Sequence, residues 1–101
     1  MWLIVLYDLP VVTKAERKAA TRFHKHLLDQ GFEMAQFSVY MRLCAGKEQA
    51  MTYVRRIENN APRSGRVNIL TITDKQYENM ICFRAGNREG QRKNPEQLVL
   101  F

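Results

Sequence analysis

Cysteine is nearly absent from this chain of 101 residues: Cys44 and Cys82 are the only two, and they form no CxxC pair. A structural zinc site takes four Cys or His ligands at close spacing, so none is expected, and the two thiols read as core side chains. Histidine is equally scarce. His24 and His26 fall two apart on an expected helix, which puts them on different faces. They make a poor metal pair and read as helix-surface residues. No apolar run approaches the roughly 18 residues that cross a bilayer. The first residues lack the basic start of a secretory leader, and their apolar stretch ends at Asp8 and Pro10. A cytoplasmic protein is expected.

Acidic residues are outnumbered, 10 against 16 Lys and Arg, for a net charge of +6 and an isoelectric point near 9.7. Arginine, the better residue for bidentate contact with phosphate, supplies most of the excess. A small basic domain commonly meets a polyanion, nucleic acid being the usual one, although many basic surfaces only keep a protein soluble. The hydrophobic share of 46% is that of a globular protein, and the length allows one domain with one modest core.

The apolar strand Trp2-Leu3-Ile4-Val5-Leu6-Tyr7 runs directly into Asp8 and stops at Leu9-Pro10. A lone carboxylate is thereby held at the exit of a buried strand, where a divalent ion or a reacting phosphate can meet it. A turn residue ahead of Pro10 is the other reading. A helix then opens at Thr13, whose spacing to Glu16 is that of a capping box, and runs to about Gln30, with Gly31 as a left-handed stop. Ala15, Ala19, Ala20, Phe23 and Leu27 form its apolar side. Lys14, Lys18, Arg22 and Lys25 gather opposite, with Arg17 at the border. Cations at this spacing repel one another unless an anion is near, so the face is either solvated or tracks phosphates.

Phe32 to Leu43 alternates, which places Ala35, Phe37, Val39, Met41 and Leu43 toward the core and Gln36, Ser38, Tyr40 and Arg42 on a polar face. A second helix is expected over 47–59, with Ala50, Val54, Ile57 and Ala61 at helical spacing and Arg55 and Arg56 turned outward. A strand follows over 66–73, then a turn or one helical turn at Asp74–Tyr77 and a short strand over 80–84. The literal order is β-α-β-α-β-β. It becomes a ferredoxin-like β-α-β-β-α-β sandwich with an extra C-terminal strand if Phe32–Leu43 folds as two strands, which needs a kink near Ala35-Gln36 where no Gly or Pro stands. The domain division expected is 1–85 for the ferredoxin-like α+β domain, 86–97 for a polar, flexible linker, and 98–101 for an apolar docking strand that adds to a sheet edge, on a partner subunit in preference to its own.

The Tyr7-Asp8-Leu9-Pro10 start, Gln36-Phe37-Ser38-Val39-Tyr40, Thr73-Asp74-Lys75-Gln76-Tyr77 and the ending from Leu98 to Phe101 together resemble the small CRISPR-associated Cas-two (Cas2) family, in the version found with type II systems. The resemblance covers essentially the whole chain and rests on the order and spacing of these segments. It implies a symmetric homodimer whose strand-one aspartates, Asp8 here, face each other across the two-fold axis and bind one magnesium ion per dimer. It implies a metal-dependent endonuclease acting on single-stranded RNA or double-stranded DNA, with Asp8 as catalytic and metal residue. It further implies a role in antiviral defence by spacer acquisition, the dimer bridging two dimers of the Cas-one (Cas1) integrase along the spacer DNA.

Two carboxylates brought together by a two-fold axis make a reasonable magnesium site, whereas one does not. No histidine is expected near strand one to act as general base. Lys14, Arg17, Lys18, Arg22 and Lys25 are the nucleic-acid-binding candidates, with Arg55 and Arg56 behind them, and Ser38 and Arg42 are placed near the Asp8 pair or at the interface. Three other readings stand beside the nuclease: a noncatalytic DNA-bridging scaffold, a VapD-like toxin ribonuclease needing no integrase, and an RNA-recognition module. The last expects a Gly-aromatic motif on a central strand that Gly65-Arg66-Val67-Asn68 does not supply.

Overall fold

A computed structural model describes residues 1–90 and Asn94. The chain divides into two units, 1–71 and 72–101. The first contains β1 (Trp2–Asp8), α1 (Lys14–Asp29), β2 (Glu33–Gln36), β3 (Val39–Leu43), α2 (Lys47–Asn60) and nearly all of β4 (Arg66–Ile72). Its sheet has the order β2-β3-β1-β4, so the strand order and the two intervening helices give the ferredoxin-like arrangement.

Local sequence sets the helices. Thr13 N-caps α1 with a complete capping box to Glu16, and Gly31 leaves the helix at φ 84°, in the left-handed region open to glycine. Arg42 holds this end down: its Nε donates to the Gln30 carbonyl at 2.8 Å and one Nη to the Tyr53 hydroxyl at 2.6 Å. The guanidinium also lies 4.1 Å from the centre of the Tyr53 ring.

Phe32–Leu43 does fold as two strands. The loop between them is Phe37-Ser38, with Ser38 at φ 62° taking the left-handed position that glycine usually fills, and the pairing slips by one residue between Met34 and Gln36. This turn overturns the alternation expected through the segment. Phe37, expected in the core, is 93% exposed, and Ala35 is exposed, while Tyr40, expected on the polar face, is 2% exposed. A turn between two paired strands breaks the continuous period of two on which that expectation stood.

In the β1–β3 register Val5 lies beside Tyr40 and Leu3 beside Arg42, on the face that meets the helices. Leu3, Val5 and Tyr40 join Phe23 and Leu27 of α1 and Ala50 and Ile57 of α2 in the core. Each large apolar side chain buried here contributes about 1.5–3 kcal/mol relative to exposure. Ile4, Leu6, Val39 and Leu43 lie on the opposite face, half-buried, and Leu70 of β4 is 52% exposed.

The second unit contains α3 (Asp74–Glu78), with its own capping box from Thr73 to Gln76, and a hairpin of β5 (Phe83–Arg84) and β6 (Asn87–Arg88). The strand expected over 80–84 is thus shorter, and its partner is β6 in a separate two-stranded sheet. Residues 87–88 of the expected linker form β6, and the expected docking strand 98–101 lies outside the described residues.

Candidate functional site

Asp8 is the last residue of β1 and is exposed, where Val5 three residues earlier is fully buried. The chain around it is tightly fixed. The backbone N–H of Tyr7 donates to the Ser38 carbonyl at 3.0 Å, which ties the β2–β3 turn to the exit of β1. Gly65, at φ 88°, packs so close behind that a Cβ there would stand 2.6 Å from the Asp8 carbonyl oxygen and 3.0 Å from Leu9. Glycine is required at that position for two reasons at once, its backbone conformation and its lack of a side chain.

A polar chain runs from this end of the sheet to α1. Tyr7 and Tyr40 stack with ring centres 5.8 Å apart, Phe23 meets the Tyr7 ring edge-on at 5.2 Å, and His24 Nδ1 shares a hydrogen bond with the Tyr40 hydroxyl. Burial first, then the Tyr40 hydroxyl, push the Tyr7 phenol from 10.0 up to about 12, with Ser38 acting in the opposite direction. Both histidine expectations need correction. His24 is engaged with the core and reaches β1 through Tyr40, and His26 has its Nε2 buried without a hydrogen-bond partner, so neither is a plain surface residue.

Asp8 opens onto a cleft of about 300 Å³ lined by Leu6, Tyr7, Phe37, Ser38, Val39, Arg66 and Asn68. Ser38 therefore lies beside Asp8. Arg42 does not: it pairs with Leu3 at the far end of β1 and is committed to the end of α1. Phe37, Arg66 and Asn68 were not singled out as site residues. The alternation of exposed Arg66, Asn68 and Leu70 with half-buried Val67 and Ile69 was the available signal for the last two.

The cations of α1 do gather. Lys14, Arg17, Lys18, Arg22 and Lys25 are all exposed and line one shallow surface with Thr21. They differ in how free they are. Arg17 Nη1 donates to the carbonyls of Val11 at 3.2 Å and Val12 at 2.8 Å, bracing the loop into the helix. Arg55 and Arg56 are exposed on α2, but Arg56 donates to Gln30 Oε1 at 3.0 Å and lies 5.2 Å from the Tyr53 ring centre. Arg55 reaches the Thr52 hydroxyl at 3.4 Å.

The profile of the family described as CRISPR associated protein Cas2 matches residues 1–80. The chain belongs to the Cas2 family. It is 52% identical over its full length to the CRISPR-associated endoribonuclease Cas2 of Paracidovorax avenae, of which it covers 94%. A protein of the same name from Flavobacterium psychrophilum is 44% identical over the full chain, with 88% of that protein covered. One from Ligilactobacillus salivarius is 45% identical with both chains covered completely. The ferredoxin-like fold expected from the Cas2 resemblance is the fold observed, and no helix among the described residues is long and apolar enough to cross a membrane.

The Cas2 resemblance implies magnesium, and the donor chemistry can be tested against this chain. Among the described residues no group of three or more His, Cys, Asp and Glu side chains comes together. One chain therefore brings a single exposed carboxylate to the cleft. A carboxylate is the hard oxygen donor magnesium prefers, and an ion that retains several waters needs only one or two. The donor chemistry at Asp8 thus fits the ion.

Proposed function

We propose that this chain acts as a homodimer in CRISPR spacer acquisition and that its paired Asp8 carboxylates support magnesium-dependent hydrolysis of a phosphodiester. The observation that carries this reading is the position of Asp8, exposed at the exit of a buried strand and opening onto a cleft that also holds Arg66 and Asn68. An isologous dimer brings the same patch of each subunit together, so a two-fold axis near Asp8 doubles the carboxylate. The side of the sheet away from α1 and α2 supports such a dimer: Ile4, Leu6, Val39 and Leu70 are apolar, outside the core cluster, and only partly covered.

In this mechanism the two Asp8 side chains would hold the ion. When bound, magnesium lowers the pKa of a coordinated water and neutralises charge developing on the phosphate. The chain's own residues do the rest. The Arg66 guanidinium holds the phosphate by charge-assisted hydrogen bonds, the Asn68 amide donates or accepts beside it, and the fixed Ser38 turn and Gly65 keep Asp8 in place. Lys14, Lys18, Arg22 and Lys25 track the phosphates of a longer nucleic acid, which suits a subunit lying along spacer DNA between Cas1 dimers.

A cleavage assay with and without magnesium, on wild type, D8A and D8N with labelled single-stranded RNA and duplex DNA, tests the reading. Loss of magnesium-dependent cutting in both variants supports it. Equal background cutting in all three proteins, with DNA binding intact, overturns the enzyme and leaves a noncatalytic bridge. That second reading has its own support, since the α1 cations need no metal and no general base to bind DNA.

A further inference from the structure

The apolar side of α1 is covered along only part of its length. Phe23 and Leu27 sit in the core, whereas Ala19 is half-buried and Ala15 exposed. Those alanines form one wall of a trough of about 410 Å³, whose other walls are Leu9 and Pro10 after β1 and Ala61 and Pro62 after α2. The trough lies on the helix side of the sheet, away from the face given above to the dimer. Arg22 and Arg63 line it, and neither makes a hydrogen bond or ion pair with another described residue. Its one acid, Glu16, is committed to the Thr13 N–H at 2.8 Å. The loop from Pro10 into α1 continues the apolar surface with Val11 and with Val12, which is 84% exposed. Arg17 braces that loop through both valine carbonyls.

We propose that this trough docks a short acidic, aliphatic peptide segment of a partner protein, which seats an aliphatic side chain against α1 and sets a carboxylate on Arg63 and Arg22. The proposal stands apart from the Asp8 reading and needs no metal. The shape suits it: the volume falls within the range of binding pockets, and the lining is mainly apolar with a few polar groups, as such pockets are. The charge fixes the sign of the occupant. Two guanidiniums without partners, on a chain of net charge +6, match carboxylates, which they can hold bidentately. The lining also decides against nucleic acid. It holds no aromatic ring on which a base could stack, whereas its Leu, Pro and Ala walls fit a branched aliphatic side chain. Finally, a small ligand filling the trough would leave Val11 and Val12 bare. A segment several residues long covers both, giving an apolar centre bounded by arginine, the composition of a protein interface.

The test measures fluorescence anisotropy with the full chain in EDTA. Its probe is a fluorescein-labelled peptide of eight residues in which leucine alternates with glutamate. Two comparison peptides carry alanine in place of leucine, or lysine in place of glutamate, and a labelled DNA duplex reports the nucleic-acid surface. The leucine–glutamate peptide is expected to bind at least about tenfold more tightly than the alanine version, and the lysine version not at all. A19L, which fills the trough with a good helix former, is expected to weaken peptide binding about tenfold. R63Q is expected to weaken it about fivefold, and both variants to keep duplex affinity within about twofold. Thermal melts check folding, and R63Q, changed at an exposed position, keeps the test decisive if A19L does not fold. The docking site is overturned if the leucine and alanine peptides bind equally, which leaves only attraction between opposite charges. It is also overturned if no peptide binds at about millimolar concentration, or if R63Q binds the peptide as wild type does. Duplex affinity that falls in step with peptide affinity overturns it too, because the trough is then part of the nucleic-acid surface.

Discussion

The Asp8 cleft and the outer face of α1 are both exposed and both polar, yet they are built in opposite ways. At the cleft, three separate segments converge: the end of β1, the Phe37-Ser38 turn, and Gly65 with the start of β4, with tolerances as small as the missing Cβ of Gly65. On α1, five cations follow from a single helix, and among the described residues only Arg17 is tied to neighbouring carbonyls. A site assembled from several segments depends on position, and a site laid along one helix depends on charge. The two should therefore respond to different perturbations.

Removing the Asp8 carboxylate should have the largest effect. D8A is expected to lower magnesium-dependent cleavage more than about 100-fold, a loss within reach of removing one group that fixes a catalytic ion. The exposed position should leave stability within about 0.5 kcal/mol, checked by urea unfolding. Duplex binding at low salt should survive, and if it falls in parallel with cleavage the two regions are not separate.

Neutralising the helix face should do the reverse. K14Q/K18Q/K25Q is expected to flatten the slope of log affinity against log salt for duplex DNA by up to about 2.7, at about 0.9 per phosphate contact. R17A is the internal control: its guanidinium braces the Val11–Val12 loop, so its loss should lower stability by about 0.5–1.5 kcal/mol and change the salt slope by less than about 0.9.

Gly65 sharpens the comparison from the cleft side. G65A puts a Cβ 2.6 Å from the Asp8 carbonyl oxygen at φ 88°, so it should cost about 1–3 kcal/mol in urea unfolding and lower cleavage, while leaving the α1 salt slope unchanged.

The smallest effect concerns pH. Burial raises Tyr7 from 10.0 to about 12, and burial raises Cys44 above 9.0, partly opposed by Arg42. Both folded-state values lie above the unfolded ones, so the stability they contribute is fully present below about pH 9 and is lost as pH rises through 9 to 12. Unfolding midpoints across that range should fall, and the decline should be shallower in Y7F/C44A than in wild type.

Much of this was legible in the sequence where the cause is local. The capping box from Thr13 to Glu16, the stop at Gly31 and the strand leading to Asp8 each depend on residues a few positions apart, and each is present as expected. The hairpin was harder. Its turn uses Ser38 where a glycine would have announced a left-handed residue, so the break was expected near Ala35-Gln36, the alternation was carried through the segment, and Phe37 and Tyr40 were assigned to the wrong faces. His24 was misjudged for a related reason: helical position puts it at the margin of the apolar side, and only the placement of β3 brings the Tyr40 hydroxyl to it.

The sequence by itself determined where the helices begin and end, which face of α1 carries the cations, and that a lone carboxylate closes the first strand. Short-range capping, periodicity and turn chemistry suffice for those. The tertiary structure alone decided that Phe37, Arg66 and Asn68 share a cleft with Asp8, that Gly65 presses against the Asp8 carbonyl, and that Arg42 belongs to the opposite end. Those are contacts between segments distant in the chain, and they follow from sheet order and register, which no local pattern encodes.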